Sequence, residues 1–115
     1  MPAPIVFFDI AGPDTSKLRE FYSRLFEWDI GPDGRFSVTV ATPLGGTLRQ
    51  DPADKTLYVG VDDVTVKLTE VEQRGGRIEA PRFEVPGVVI LGLCKDPCGN
   101  RIGLVEMRDG KPRVP

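Results

Sequence analysis

The chain has 115 residues, 40% of them hydrophobic and 28% charged, with a net charge of −2, values ordinary for one globular domain with a real core. Basic residues are scattered singly and no apolar run approaches the roughly 20 residues of a membrane span, which argues against a nucleic-acid footprint, a polybasic membrane patch or a spanning helix. Histidine is absent, so Ser-His-Asp and Cys-His catalysis and any His-ligated metal are excluded, and chemistry would rest on carboxylates, Arg, Lys, Tyr or Cys.

Ile5-Val6-Phe7-Phe8-Asp9-Ile10 is rich in β-branched and aromatic residues and predicts a strand. Asp14, Thr15 and Ser16 are alternative N-caps for the helix that follows. Leu18, Phe21, Tyr22, Leu25 and Phe26 then carry the i, i+3, i+4, i+7, i+8 spacing of an amphipathic helix. Gly31-Pro32-Asp33-Gly34 breaks the chain, and Phe36 to Val40 alternates as a half-buried strand. A further strand is expected around Thr47 to Arg49, after Pro43-Leu44-Gly45-Gly46. The pattern restarts with a strand at Leu57–Val61, a cap region at Asp62-Asp63, a helix over Val64–Arg74 and a stop at Gly75-Gly76. Three strands are predicted after it, at Arg77–Val85, Val88–Lys95 and Arg101–Met107.

Lys17-Leu18-Arg19-Glu20-Phe21 and Lys67-Leu68-Thr69-Glu70-Val71 fall at the same place in the two helices, an internal repeat of about half the chain. We read one α+β domain over residues 1–107, with module one near 4–50, module two near 55–107, and 108–115 as a disordered tail. Cys94 and Cys98 are too few for a disulfide framework and, without histidine, fall short of a four-ligand zinc site, so both are expected to be ordinary thiols. Met1-Pro2-Ala3-Pro4 has neither a charged nor an apolar leader character, so no export signal is expected and the cytoplasm is the expected compartment.

Three stretches resemble the glyoxalase/bleomycin-resistance/dioxygenase (vicinal oxygen chelate) superfamily. Pro4 to Ile10 followed by Phe21-Tyr22 and Phe26-Glu27-Trp28 is similar to its opening strand, helix and Phe-x-Trp. Tyr58-Val59-Gly60-Val61-Asp62-Asp63-Val64 is similar to the opening of its second module. Asp96-Pro97-Cys98-Gly99-Asn100 is similar to its Asp-Pro-x-Gly-Asn closing hairpin, and is a tight turn on its own chemistry. The resemblance implies two βαβββ modules forming a cupped, eight-stranded mixed sheet. It places the family's metal-ligand positions at Phe7, at Thr56 or Tyr58, near Thr47 to Arg49, and at Gly103. Phenylalanine and glycine cannot coordinate, and Glu106 lies three residues past the expected position on the opposite strand parity. No metal and no cofactor are therefore expected.

Strand alternation predicts which side chains line the concave face. Val6, Phe8, Ile10, Val38, Val40, Leu57, Val59, Val61, Ile102 and Leu104 are assigned to the core. Ile5, Phe7, Asp9, Ser37, Thr39, Thr56, Tyr58, Gly60, Arg101, Gly103 and Val105 are assigned to the lining. Cys94, Gly92 and Ile90 are assigned to it as well, on a pairing that sets Gly92 beside Gly103. Such a mixed lining suits a small organic ligand. The expected function is a metal-independent binder, like the bleomycin-resistance branch, acting as a homodimer without nucleic-acid or membrane partners. The alternative is a cofactor-free isomerase, cyclase or epimerase with Asp9 as general base and Tyr58 or Arg101 stabilising the oxyanion. A third reading is a structural or regulatory module that uses its surface alone.

Overall fold

The computed structural model of the chain describes residues 2–26, 28–38 and 44–115. They form eight strands and two helices, an α+β arrangement with parallel and antiparallel pairings. In chain order these are β1 (Ile5–Gly12), α1 (Thr15–Phe26), β2 (Arg35–Val38), β3 (Leu44–Gln50), β4 (Asp54–Val61), α2 (Val64–Gln73), β5 (Arg77–Val85), β6 (Val89–Lys95), β7 (Arg101–Arg108) and β8 (Lys111–Pro112). Among the described residues no helix is long and apolar enough to cross a membrane. The chain divides into two compact units, Phe7–Thr56 and Leu57–Pro115, with the opening residues through Val6 grouped with the latter.

In the first unit β3 lies between β2, antiparallel to it, and β1, parallel to it. Asp14 is the cap chosen from the three candidates, its carboxylate accepting from the Lys17 N–H at 3.1 Å. Ile30, Phe36 and Leu48 are buried, and Phe8, Ile10, Leu18, Tyr22 and Trp28 pack against them. Trp28 holds this core by its ring, stacked on Tyr22 with centroids 5.5 Å apart and on Phe36 at 5.3 Å, while Phe8 meets Phe36 edge-on. Arg19 Nε donates to the Ile30 carbonyl at 2.7 Å, fixing the segment that brings Ile30 into the cluster. The side chains of Phe21, Leu25, Phe26 and Val38, and all of Val40, lie outside what is described.

In the second unit the strand order is β4-β7-β6-β5, with β8 paired to β7. Asp63 caps α2 by accepting from the Val66 N–H. Gly75 ends it at φ 92°, with Gly76 N–H on the Val71 carbonyl and Gly75 N–H on that of Glu72, a Schellman closure. The helix buries Val64 and Leu68 against Val61, Cys94 and Leu104, flanked by Val59, Val71, Ile78 and Ile102. Leu57, assigned to this core by parity, is 53% exposed.

Two features differ from the sequence reading. Among the described residues the first unit is β-α-β-β, one strand short of the expected β-α-β-β-β, and Gly45 and Gly46 are inside β3 rather than in the turn before it. The eighth strand comes instead from the tail expected to be disordered. Asp109 and Gly110 both have positive φ (54° and 77°), the geometry of a two-residue hairpin, and Met107 pairs with Pro112 and Arg108 with Lys111. The Arg113 N–H donates to the Glu106 carbonyl at 2.8 Å, and Gly87 N–H donates to that of Pro115. Asp-Gly is a strong hairpin signal, and here it outweighs the prolines and charges around it. Gly110→Val, which places a β-branched residue in the left-handed region, should lower stability by about 1–2 kcal/mol. It should also speed amide exchange at Arg113; unchanged exchange there would show that the turn does not hold the tail.

Candidate functional site

Each unit turns one face of its strands to its helix, and the other face carries the candidate site. In the first unit Phe8, Ile10, Phe36 and Leu48 face α1, so alternation leaves Phe7, Asp9, Thr47 and Arg49 on the opposite face. The Phe7 ring lies against Gly45, its register partner, about 3.5 Å from where a Cβ would stand. Asp9 is 2% exposed, and its Oδ2 pairs with Arg49 Nε at 3.1 Å. Arg49 Nη1 also donates to Asp51 at 2.8 Å, so one guanidinium bridges a buried and an exposed carboxylate. Thr56 is equally buried, and its hydroxyl has no hydrogen-bond partner among the described residues. Ser37 is exposed opposite Gly45; Thr39 lies outside the described residues.

In the second unit Tyr58 stands opposite Gly103 on β7, which in turn stands opposite Leu93 on β6. The Tyr58 ring occupies the space a side chain at Gly103 would need. The expected bare glycine patch is therefore roofed by an aromatic ring from the neighbouring strand. Arg101 Nε meets Glu79 Oε1 at 2.6 Å and Lys95 Nζ meets Glu79 Oε2 at 3.5 Å. The hydrogen bond from Arg101 is the main reason the Glu79 carboxyl titrates below its usual range.

Gly92 and Cys94 do not line this face. Lys95 pairs with Arg101, so Cys94 stands opposite Ile102 and Gly92 opposite Leu104. That register is one residue away from the expected Gly92–Gly103 pairing, and a one-residue slip exchanges the faces of a strand. A Cβ on Gly92 would come within 2.8 Å of Val64 and 2.9 Å of Leu68 on α2. Cys94 is 2% exposed in the core, its Sγ donating to the Ile102 carbonyl, and burial pushes its thiol pKa up. Ile90 follows the same parity.

Glu106 is the residue whose role sequence reasoning missed. It is 6% exposed on the helix-facing side of β7. Its carboxylate accepts from Arg82 Nε and Nη2 at 3.0 and 2.9 Å, from Arg113 Nη1 at 3.0 Å and from the Val64 N–H at the start of α2. An acid at a core position of an apolar strand was the available signal; its partners come from β5 and the tail.

The metal-ligand positions that the resemblance assigns do not fit a divalent ion. Phe7 and Tyr58 present rings packed on strand glycines, Thr56, the alternative to Tyr58, offers only a neutral hydroxyl, Gly103 has no side chain, and Arg49 brings a positive charge to the stretch assigned to the fourth position. Among the described residues no group of three or more Cys, Asp or Glu could hold a metal.

The fold is shared with solved structures that include a member of the glyoxalase/bleomycin resistance protein/dioxygenase superfamily. A hypothetical protein from Bacillus halodurans C-125 superposes with a TM-score of 0.66 at 9% identity, covering 98% of this chain and 100% of that one. A variant of Streptomyces coelicolor methylmalonyl-CoA epimerase, in complex with 2-nitronate-propionyl-CoA, gives 0.64 at 14% identity with the same coverage. A glyoxalase/bleomycin resistance protein/dioxygenase superfamily member from Vibrio splendidus 12B01 gives 0.65 at 11% identity over 91% of this chain and 98% of that one. Neither a family model nor a curated protein matches the sequence.

Two outcomes follow from this geometry. The Glu106 carboxyl is lowered from 4.5 to about 2, chiefly by Arg82. A depressed acid contributes stability that is present above its unfolded pKa and is lost as pH falls through the folded one. Stability should therefore drop between about pH 5 and 2, by about 2 kcal/mol once the partly exposed guanidiniums are allowed for. Glu106→Gln should flatten that slope and cost about 3 kcal/mol at pH 7, measured by urea unfolding across pH. Gly103→Leu should lower the melting temperature by displacing Tyr58, and should cost less in a Tyr58→Ala background; additive losses would contradict the ring-on-glycine contact.

Proposed function

We propose that the chain is a metal-independent small-molecule-binding protein that sequesters or carries a small organic metabolite or drug on the open face of its sheet. The observation that carries this reading is the replacement of metal donors by aromatic rings, with Tyr58 over Gly103 in one unit and Phe7 over Gly45 in the other. Rings at those positions supply the apolar surface that organic ligands need, and neighbouring polar groups supply orientation. The structural neighbours support the ligand class, since the epimerase structures among them are complexes with methylmalonyl-CoA or 2-nitronate-propionyl-CoA. We further propose a homodimer, the arrangement that the family resemblance implies, checked by sedimentation.

The second reading, a cofactor-free isomerase, cyclase or epimerase with Asp9 as base, is favoured by the same epimerase neighbours. Against it stands the Arg49 guanidinium, which already holds the Asp9 carboxylate. The experiment is a thermal-shift panel of aromatic drugs, acyl carboxylates and acyl-CoA thioesters, each with and without EDTA. A ligand at 100 times its Kd should add about 2.7 kcal/mol to stability, unaffected by EDTA. A shift that requires a divalent ion, or none across the panel, would sink the binding reading. Exchange of the α-proton of a bound thioester with deuterated solvent, lost in Asp9→Asn with binding intact, would establish the second.

A further inference from the structure

The open face of the second unit is built in rows by strand pairing. Val105 stands opposite Leu91, Gly103 stands between Tyr58 and Leu93, and Lys95 stands between Arg101 and Arg77. Cross-strand partners point to the same side, so these rows share a face: Val105 and Leu91 are buried, and the partly exposed row of Tyr58 and Leu93 ends at a row of three cations about 6.6 Å further along the strands. Like charges directly opposite one another are destabilising, and this row has two such pairs. Glu79 relieves one end, its short 2.6 Å contact going to Arg101 and its longer 3.5 Å contact to Lys95. At the other end Arg77 is exposed and makes no ion pair among the described residues.

We infer that the Arg77–Lys95 pair is the head-group site for a small organic oxyanion, whose apolar body lies on Leu93 and Tyr58. This rests on the binding reading above and narrows its ligand to a phosphate or carboxylate with an apolar body. Leu93 and Tyr58 are both partly exposed, so the body has surface to meet. The guanidinium and ammonium lie on adjacent strands about 4.8 Å apart, a spacing that lets one oxyanion accept from both. Bound there, the ligand would cancel the repulsion that the free protein carries.

The test is calorimetric titration at low ionic strength, where exposed charges are least screened. The probes are 1-naphthyl phosphate, 1-naphthoate and the uncharged 1-naphthol. Both anions should bind at least about tenfold more tightly than the alcohol, as charge-assisted hydrogen bonds imply, with the phosphate and carboxylate arms showing which head is preferred. Arg77→Gln combined with Lys95→Gln should erase that preference and leave 1-naphthol unchanged. Arg77→Glu, which sets a carboxylate opposite Lys95, should raise the melting temperature and also abolish anion preference, so the result does not depend on one variant folding. Equal binding of all three probes, or preference retained in both variants, would overturn the head-group site alone. Failure of every naphthyl compound to bind would remove the binding reading with it. Loss of anion binding on raising protein concentration would show instead that a second copy covers the row.

Discussion

The Asp96 carboxylate decides which side chains the second unit offers to a ligand. It accepts from the Cys98 N–H, the Asn100 N–H and Asn100 Nδ2, all at 2.8–2.9 Å, and these bonds hold its pKa below the usual carboxylate range, the Asn100 side chain foremost. Gly99 closes the turn at φ 90°. With residues 96–100 pinned, Lys95 has to face Arg101, and the rest of the β6–β7 register follows. Cys94 and Gly92 are thereby committed to the helix side and Leu93 to the open side. Had the turn been one residue different, the thiol and the bare glycine would stand on the ligand face and the core of α2 would lose its floor.

A second device appears in both units. β1 lies parallel to β3 and β4 parallel to β7, and in each pair an aromatic side chain on the first strand meets a glycine on the second: Phe7 on Gly45, Phe8 on Gly46, Tyr58 on Gly103. A glycine in a strand weakens it unless a neighbour fills the space. In the first unit two consecutive glycines let rings settle on both faces of β3, Phe8 inward to the core and Phe7 outward. The aromatic and the glycine are thus one structural element.

Charges in the second unit are divided by face. On the helix side, Glu106 gathers Arg82 and Arg113 and caps the start of α2, tying β5, β7, the tail and the helix to one buried carboxylate. On the open side, Glu79 serves Arg101 and Lys95 while Arg77 stands apart from it. The first arrangement is saturated and serves stability. The second has cationic capacity left at the edge of an apolar surface, which is the electrostatic form of an unfinished site.

Periodicity in the sequence determined both helices and seven of the eight strands. These follow from local alternation and helical spacing, which do not depend on what the chain meets later. The Asp-Pro-x-Gly-Asn turn and the βα repeat were enough to indicate the superfamily fold. Phe7, Asp9 and Tyr58 were legible as non-core positions because Phe8, Ile10 and Val59 fix their parity. Tertiary structure alone decided the rest. The face of Gly92 and Cys94 depends on a register set by five turn residues, to which strand alternation is blind. Nothing local distinguishes a glycine left bare from one roofed by Tyr58, since the ring arrives from 45 positions away along the chain. The pairing of Asp9 with Arg49 and of Glu106 with Arg82 and Arg113 likewise required the strands to be brought together, and so did the row of like charges from Arg77 to Arg101. Charge proximity across a sheet is a property of register, and register is settled only when the strands pair.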